Sequence, residues 1–305
     1  MPSAAASIRI LALCATYNRK NTTLASLRSL AEQMLPADAS LTFAVVDDAS
    51  SDGTLAAVQK DFPQALTIDC GGERYWAGAM RFGFQHFWNP HLYTHLLVFN
   101  DDCLFNPQAI SMAFTALRAG APCEKGVVAV GALRTPELDA PTYGGLIKRK
   151  WLPSVYFKRV TPTGHPQDVD TLNMNFALMD ARSLQHNTLI GPRFTHGFAD
   201  FDFGLRARRQ GTRLILTEGY VGFCSRNDAH HTWEDTALPF RQRHRMIFQP
   251  KGLPLLPRMT YLKAHAPLAW PFIFAWPYFR FYVAQLIFTM KSAYTSHDAE
   301  KRHPR

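Results

Sequence analysis

The sequence predicts an α/β fold built on an open, largely parallel sheet, and three features predict it. Short apolar runs alternate with stretches of helical periodicity along the N-terminal part of the chain. The apolar runs end on polar residues: Thr16-Tyr17-Asn18-Arg19, Asp47-Asp48 and Asn100-Asp101-Asp102. Asp is disfavoured inside a strand, so these carboxylates belong at strand carboxyl ends, on the crevice where open α/β sheets bind ligands. No low-complexity tract or internal repeat interrupts the pattern.

Ile8 to Ala15 reads as a buried first strand rather than a secretion signal. Its basic flank is a single Arg, and polar Asn18-Arg19-Lys20-Asn21 follows at once. Asn21-Thr22-Thr23 then caps a helix carrying Leu24, Leu27, Leu30 and Leu35 at helical spacing. Leu41 to Val46 is a second strand, and Ala49 to Thr54 turns into the next helix. Thr67 to Cys70 is a short third strand, followed by Gly71-Gly72 and a helix from about Ala77 to Trp88. His95 begins the fourth strand, which runs into Asn100-Asp101-Asp102.

Beyond it, Leu133 to Asp170 is rich in Pro, Gly and Thr and carries the basic triplet Lys148-Arg149-Lys150, which reads as a solvated face. The stretch reads as a long irregular insertion, a binding loop or lid. Thr171 to Met179 returns to strand character, with Asn173 and Asn175 on one face, able to hydrogen-bond a bound ligand. Asp200 and Asp202 open a helix with Arg206, Arg208 and Arg209, and Arg213 to Thr217 is a further strand. The expected division is a domain over 1–240 and a helical extension over 241–305. Within the extension, Trp270 to Met290 is long enough to span a bilayer, but Pro271, Pro277 and Arg280 argue against spanning. It either packs on the first domain, in a homodimer included, or lies in a membrane interface. Basic Lys291 and Lys301-Arg302-His303 favour an anionic surface.

A hydrophobic share of 47% against 19% charged residues over 305 positions describes a globular chain able to bury a sizeable core. The formal charge of +9 points to acidic partners such as phosphates or anionic lipid. Nucleic acid is not expected, because zinc-finger spacing, an RNA-recognition signature and a dense basic helix are all missing. The five cysteines are scattered, with no C-x-x-C pair, which fits a reducing, cytoplasmic setting and argues against disulfides or structural zinc.

Adjacent carboxylates such as Asp101-Asp102 repel each other unless a cation or hydrogen-bond donors neutralise them. A hard divalent ion, Mg²⁺ or Mn²⁺, holding a diphosphate is a natural partner. A lone Asp-Asp is an Asx turn by preference. Asp47-Asp48 on the same crevice tips the balance to nucleotide binding. The Gly-x-Gly-x-x-Gly and Gly-x-x-x-x-Gly-Lys-Ser/Thr loops are absent, which leaves little basis for a dehydrogenase or P-loop protein.

Taken in order, several motifs resemble family 2 glycosyltransferases of GT-A fold. They are Thr16-Tyr17-Asn18-Arg19, Val46-Asp47-Asp48-Ala49-Ser50-Ser51-Asp52-Gly53-Thr54 and Asn100-Asp101-Asp102. A narrower likeness rests on Tyr75-Trp76-Ala77-Gly78-Ala79-Met80-Arg81, Thr171-Leu172-Asn173-Met174-Asn175-Phe176, Asp200 to Arg208 and Lys251-Gly252-Leu253-Pro254. It is to bacterial rhamnosyltransferase-like enzymes of exopolysaccharide and O-antigen assembly.

The resemblance implies an inverting transferase that moves a sugar from a UDP- or dTDP-sugar to a glycan or lipid-linked glycan. The enzyme would work at the cytoplasmic face of the inner membrane. In this family Thr16, Tyr17, Asn18 and Arg19, Asp48, Arg81 and Asp101 fall at the nucleotide. Asp102 reaches the metal, with His230 or His231 as a late imidazole ligand. Trp76 either closes over the donor sugar or is a core aromatic, and Arg81 either grips the nucleotide or lies on a helix surface. Asp200 matches the base that deprotonates the acceptor, although Ala199 replaces the usual Glu before it. Asp202 is its rival, with helix-terminal Asp as the plainer role. A nucleotidyltransferase would want a Gly-rich, Lys-containing loop after the first strand, which Ala15 to Arg19 is not. A non-catalytic membrane-associated scaffold would be expected to have lost Asp48, Asp102 and Asp200, and all three are present.

Overall fold

The computed structural model describes residues 8–137, 140–185, 187–225 and 231–302. Two compact units make up the chain, Met1–Asp228 and Ala229–Arg305.

The first unit opens with the expected alternation: β1 (Ile8–Thr16), α1 (Lys20–Ala31), β2 (Ala39–Asp47), α2 (Thr54–Asp61), β3 (Leu66–Asp69), α3 (Tyr75–Phe87) and β4 (His95–Phe99). The apolar run of β1 lies parallel between β2 and β4, and β3 extends the sheet in parallel beyond β2. Buried Leu24, Leu27 and Leu30 recur at helical spacing on α1 and belong to one core with Ile10, Ala12, Cys14 and Val45. The helix begins at Lys20, one turn earlier than the Asn-Thr-Thr triplet suggested. The side chain of Asp52, from the loop after β2, accepts from the Lys20 amide at 3.0 Å.

After β4 come β5 (Leu104–Phe105), α4 (Ala109–Gly120) and β6 (Val127–Arg134). The stretch expected to be irregular instead contains β7 (Pro141–Tyr143), β8 (Gly145–Lys148), β9 (Phe157–Arg159) and β10 (Gln167–Asp168), ahead of β11 (Thr171–Leu172). Strands of two to four residues are too short to show a period. β7 pairs with β6, and β8, β9 and β11 form a separate three-stranded sheet. The unit closes with β12 (Phe176–Asp180), α5 (Ala181–Gln185), α6 (Ala199–Arg209) and β13 (Arg213–Phe223).

The main sheet runs β10-β13-β6-β12-β4-β1-β2-β3 and is mixed rather than largely parallel, because β12 lies antiparallel between β4 and β6. Its direction follows from where the chain re-enters. Asn175 accepts from the Asn100 amide at 3.2 Å, at the carboxyl end of β4, so the next strand has to run back. Asn173 and Asn175 therefore do not share a strand face, since the residues between β11 and β12 form a turn linking the two sheets. Phe105 sits between Phe99 and Phe176 in the core, with ring centroids 6.1 and 5.2 Å away.

Helix α6 rests on the small sheet at Gly204. A Cβ there would lie 2.5 Å from Thr171 Oγ1 and 2.7 Å from Leu172 Cδ2. Thr171 Oγ1 also donates to the Phe201 carbonyl at 3.0 Å. Helical Gly costs about 1 kcal/mol relative to Ala, so close approach outweighs propensity here.

The second unit holds α7 (Phe240–Ile247), α8 (Leu255–His265) and α9 (Trp270–Arg302). Pro271 stands in the first turn of α9, where its missing N–H costs nothing, and the helix continues through Pro277. Phe281 stacks on Phe240 at 5.4 Å, and the Tyr278 hydroxyl donates to the Leu253 carbonyl at 2.5 Å. Phe272, Trp276, Phe279, Leu286 and Phe288 are exposed. Among the described residues no helix is long and apolar enough to cross a membrane.

Gly204→Ala should lower stability by about 1–3 kcal/mol through overpacking, despite the gain in helix propensity. Urea denaturation of the full chain checks this, and an unchanged or raised midpoint would mean α6 does not depend on that approach.

Candidate active site

The start of α3 binds several strand ends together. A helix presents N–H groups with no partner in its first turn, and a part-buried start must find acceptors elsewhere. Asp48, just past β2, supplies the first. Its Oδ1 accepts from the Arg74 amide at 3.1 Å and its Oδ2 from the Tyr75 amide at 2.9 Å. The carbonyl of Thr195 takes the Ala77 amide at 3.0 Å and the Gly78 amide at 3.4 Å. Trp76 Nε1 donates to Asn100 Oδ1 at 3.0 Å, which ties the same turn to the end of β4. The buried thiol of Cys70 also donates to Asp48, at 3.3 Å.

Beside it, the loops after β1 and β2 are knitted together. Asn18, at φ 50°, accepts from the Ser51 amide at 2.8 Å, and its own amide donates to Ser50 Oγ at 2.8 Å. Asp47 is occupied by the amide and hydroxyl of Ser50. Tyr17 is 55% exposed. Arg19 Nη1 bridges both carboxylates beyond β4, at 2.9 Å from Asp101 Oδ1 and 2.7 Å from Asp102 Oδ2.

Asp101 is buried, and burial raises its carboxyl above the ordinary value while Arg19 pulls it back and Asp102 pushes it further up. Burial alone would lower Arg19, but the two carboxylates hold it above its usual value. Thr23 Oγ1 also donates to Asp101, at 3.4 Å. The repulsion expected between adjacent carboxylates is thus met in part by a cation of the chain itself.

Asp102 keeps 28% of its side chain exposed, and its Oδ1 faces two sulfurs, Cys103 Sγ at 3.8 Å and Cys224 Sγ at 3.6 Å. The carboxylate suits a hard divalent ion whose other ligands are phosphate oxygens and water. His230 lies outside the described residues, and the His231 amide donates to Asp235 at 2.9 Å within the second unit.

Asp200 stands in the first turn of α6, after Phe198 in the left-handed region at φ 70°. Asn173 Nδ2 donates to its Oδ2 at 3.1 Å and the Phe201 amide to its Oδ1 at 2.8 Å. Desolvation nevertheless dominates and raises the carboxyl to about 6. Asn173 is buried, and among the described residues its Oδ1 has no hydrogen-bond partner. Asp202 is ion-paired to Arg206 at 2.7 Å along the same helix. Arg81 Nη1 donates to the carbonyls of Gly191 and Phe194, each at 3.1 Å.

Sequence reasoning did not foresee Thr23, Thr195, Cys103 or Cys224 at these positions. Cys224 reaches Asp102 only because Phe223 pairs with Leu104 across β13 and β5, and Gly222 leaves room for the Leu104 carbonyl, 2.1 Å from where a Cβ would stand. Nothing local to either strand signals that pairing.

A mixed α/β sheet with carboxylates at these strand ends and helices beyond it is a GT-A-like fold. Residues 12–161 match the family model described as glycosyl transferase family 2. Among solved structures, S. aureus TarS 1-349 aligns with 15% identity and TM-score 0.51, over 72% of this chain and 60% of that one. The chain thus spans less than two thirds of that TarS fragment. TarS 1-349 in complex with UDP-GlcNAc aligns with 16% identity and TM-score 0.51, over 86% of this chain and 73% of that one. The mannosyltransferase PcManGT from Pyrobaculum calidifontis, in complex with GDP-Man and Mn²⁺, is a looser likeness at 17% identity and TM-score 0.49, over 98% and 82%. No curated protein matches.

Arg19→Ala should destabilise the chain by about 1–3 kcal/mol at neutral pH, towards the low end because Arg19 is partly exposed. The sign with pH follows from Asp101. Its folded value is already raised, and loss of Arg19 raises it further. The part of the penalty due to Asp101 is therefore absent while Asp101 is protonated and grows as pH rises through its titration. Denaturation midpoints from pH 4 to 8 check this, and a pH-independent difference would remove Asp101 as its cause.

Proposed function

We propose that this chain is an inverting, metal-assisted glycosyltransferase of bacterial cell-surface polysaccharide synthesis, of the rhamnosyltransferase-like subgroup. It takes a hexosyl group from a UDP- or dTDP-sugar and gives it to a glycan or lipid-linked glycan. The observation that carries the reading is Asp200: a carboxyl raised to about 6, held by Asn173, at the start of a helix tied to the small sheet. A base near neutral pH is what acceptor deprotonation requires.

In this reading the acceptor hydroxyl gives its proton to Asp200 as its oxygen bonds the anomeric carbon. The bond from that carbon to the diphosphate breaks, and the electron pair leaves with the phosphate. Inversion follows from attack on the face opposite the leaving group. Asp102 would hold Mg²⁺ or Mn²⁺, whose contribution is to offset charge on the departing diphosphate. Asn173, with its open Oδ1, positions Asp200 and a sugar hydroxyl at once. The loops after β1 and β2, with Thr16 to Arg19, Asp48 and Asp101, form the nucleotide side, and Arg81 braces the 191–194 loop against it. In this reading Trp76 closes over the donor sugar, with its indole N–H held by Asn100. Asn175 and Asp202 also belong to the substrate side in this reading, Asp202 held in place by Arg206. The exposed aromatics of α9 and the basic residues beyond them suit the cytoplasmic face of the inner membrane.

Asp200→Asn should cut kcat about 10²–10⁴-fold with nucleotide affinity retained. Full transfer activity in a folded Asp200→Asn protein would end this assignment. For the wild type, kcat/KM should rise through an acid limb near pH 6, because the base works only when ionised. Asn173→Ala removes a hydrogen bond that lowers that value, so its limb should move to higher pH. Calorimetric titration with UDP and with dTDP, each with Mn²⁺ and with EDTA, should show metal-dependent binding of one nucleotide, lost in Asp102→Ala. Absence of binding to both would count against a nucleotide-sugar donor.

A further inference from the structure

Among the buried thiols that sugar transfer as derived above leaves unused are Cys103 at 0% and Cys224 at 3% exposure. Both face Asp102. We propose that Asp102 Oδ1, Cys103 Sγ and Cys224 Sγ form a site for a thiophilic divalent cation of the Zn²⁺ or Cd²⁺ class. This donor set differs from the carboxylate-phosphate shell of a hard ion, and the inference stands on the three donors without resting on sugar transfer.

The three ligand atoms lie within 4.8 Å of one another. A tetrahedral zinc with Zn–S near 2.3 Å and Zn–O near 2.0 Å sets its sulfur and oxygen ligands about 3.5 Å apart. The separations from Asp102 Oδ1 are 3.8 Å to Cys103 Sγ and 3.6 Å to Cys224 Sγ, so little movement is needed. Asn175 Nδ2 stands 3.9 Å from Cys103 Sγ and 3.6 Å from Cys224 Sγ, on both sulfurs at once. Donors of this kind orient metal-bound ligands from the outer shell. The partly exposed side chain of Asp102 provides the way in, and a fourth position stays open to water.

Loading replaces the two thiol protons by the metal and releases them to solvent. It also commits Asp102 Oδ1, so a thiophilic ion and a hard ion compete for one carboxylate. Scattered cysteines, which in sequence argued against zinc, become a pair through the β5–β13 register.

The test is titration of the full reduced chain with Co²⁺ as the probe. One equivalent should produce thiolate-to-cobalt charge-transfer absorption with the strong visible bands of tetrahedral cobalt. Cys103→Ser and Cys224→Ser should each lose most of that signal, while Cys123→Ser retains it. Absence of the bands in the wild type, or their persistence in both variants, would overturn the site. Since buried Cys→Ser changes can impair folding, X-ray absorption of the zinc-loaded wild type provides a second reading. Two sulfurs in the first shell support the assignment, and a shell of nitrogen and oxygen only refutes it.

Discussion

Capture of the first α3 amides by acceptors from elsewhere in the chain is the interaction on which this site depends. Asp48 takes two of them and the Thr195 carbonyl two more. These groups cannot be left unmet in a part-buried setting, so the helix start, the end of β2 and the segment leading to Asp200 have to stay together. Trp76 adds the end of β4 through Asn100. A single helical turn thereby fixes groups from distant parts of the sequence, and the sheet supplies the rigid base beneath them.

The carboxylates gathered around this turn are neutralised in different ways, and their environments divide the labour among them. Asp48 accepts from the Arg74 and Tyr75 amides. Asp101 is buried under a guanidinium. Asp202 is spoken for by Arg206. Asp200 receives one side-chain and one backbone hydrogen bond and, among the described residues, no ion pair, so desolvation wins and its carboxyl is raised to about 6. Asp102 stays the most open to solvent of the Asp101-Asp102 pair.

Much of this was legible from residues alone. Apolar runs ending on Asp47-Asp48 and Asn100-Asp101-Asp102 marked the strand ends, because Asp has few other places in a buried sheet. The helical spacing of Leu24, Leu27 and Leu30 marked the packed face of α1. Strand direction was not legible. An apolar run reads alike both ways, and β12 turned antiparallel because of where the chain came from. The small sheet escaped because its strands are shorter than any period. Asn173 and Asn175 were read as sharing one strand face, but their neighbours, Asp200 for one and two sulfurs for the other, depend on a turn and on β13 pairing.

The Arg19 bridge also sets what the end of β4 presents to its surroundings. A bare pair of adjacent carboxylates would show two full negative charges there. With a guanidinium shared between them, the pair shows a net charge nearer one. Its pull on passing cations is correspondingly weaker, and falls off further with salt because Arg19 and Asp102 are both partly exposed.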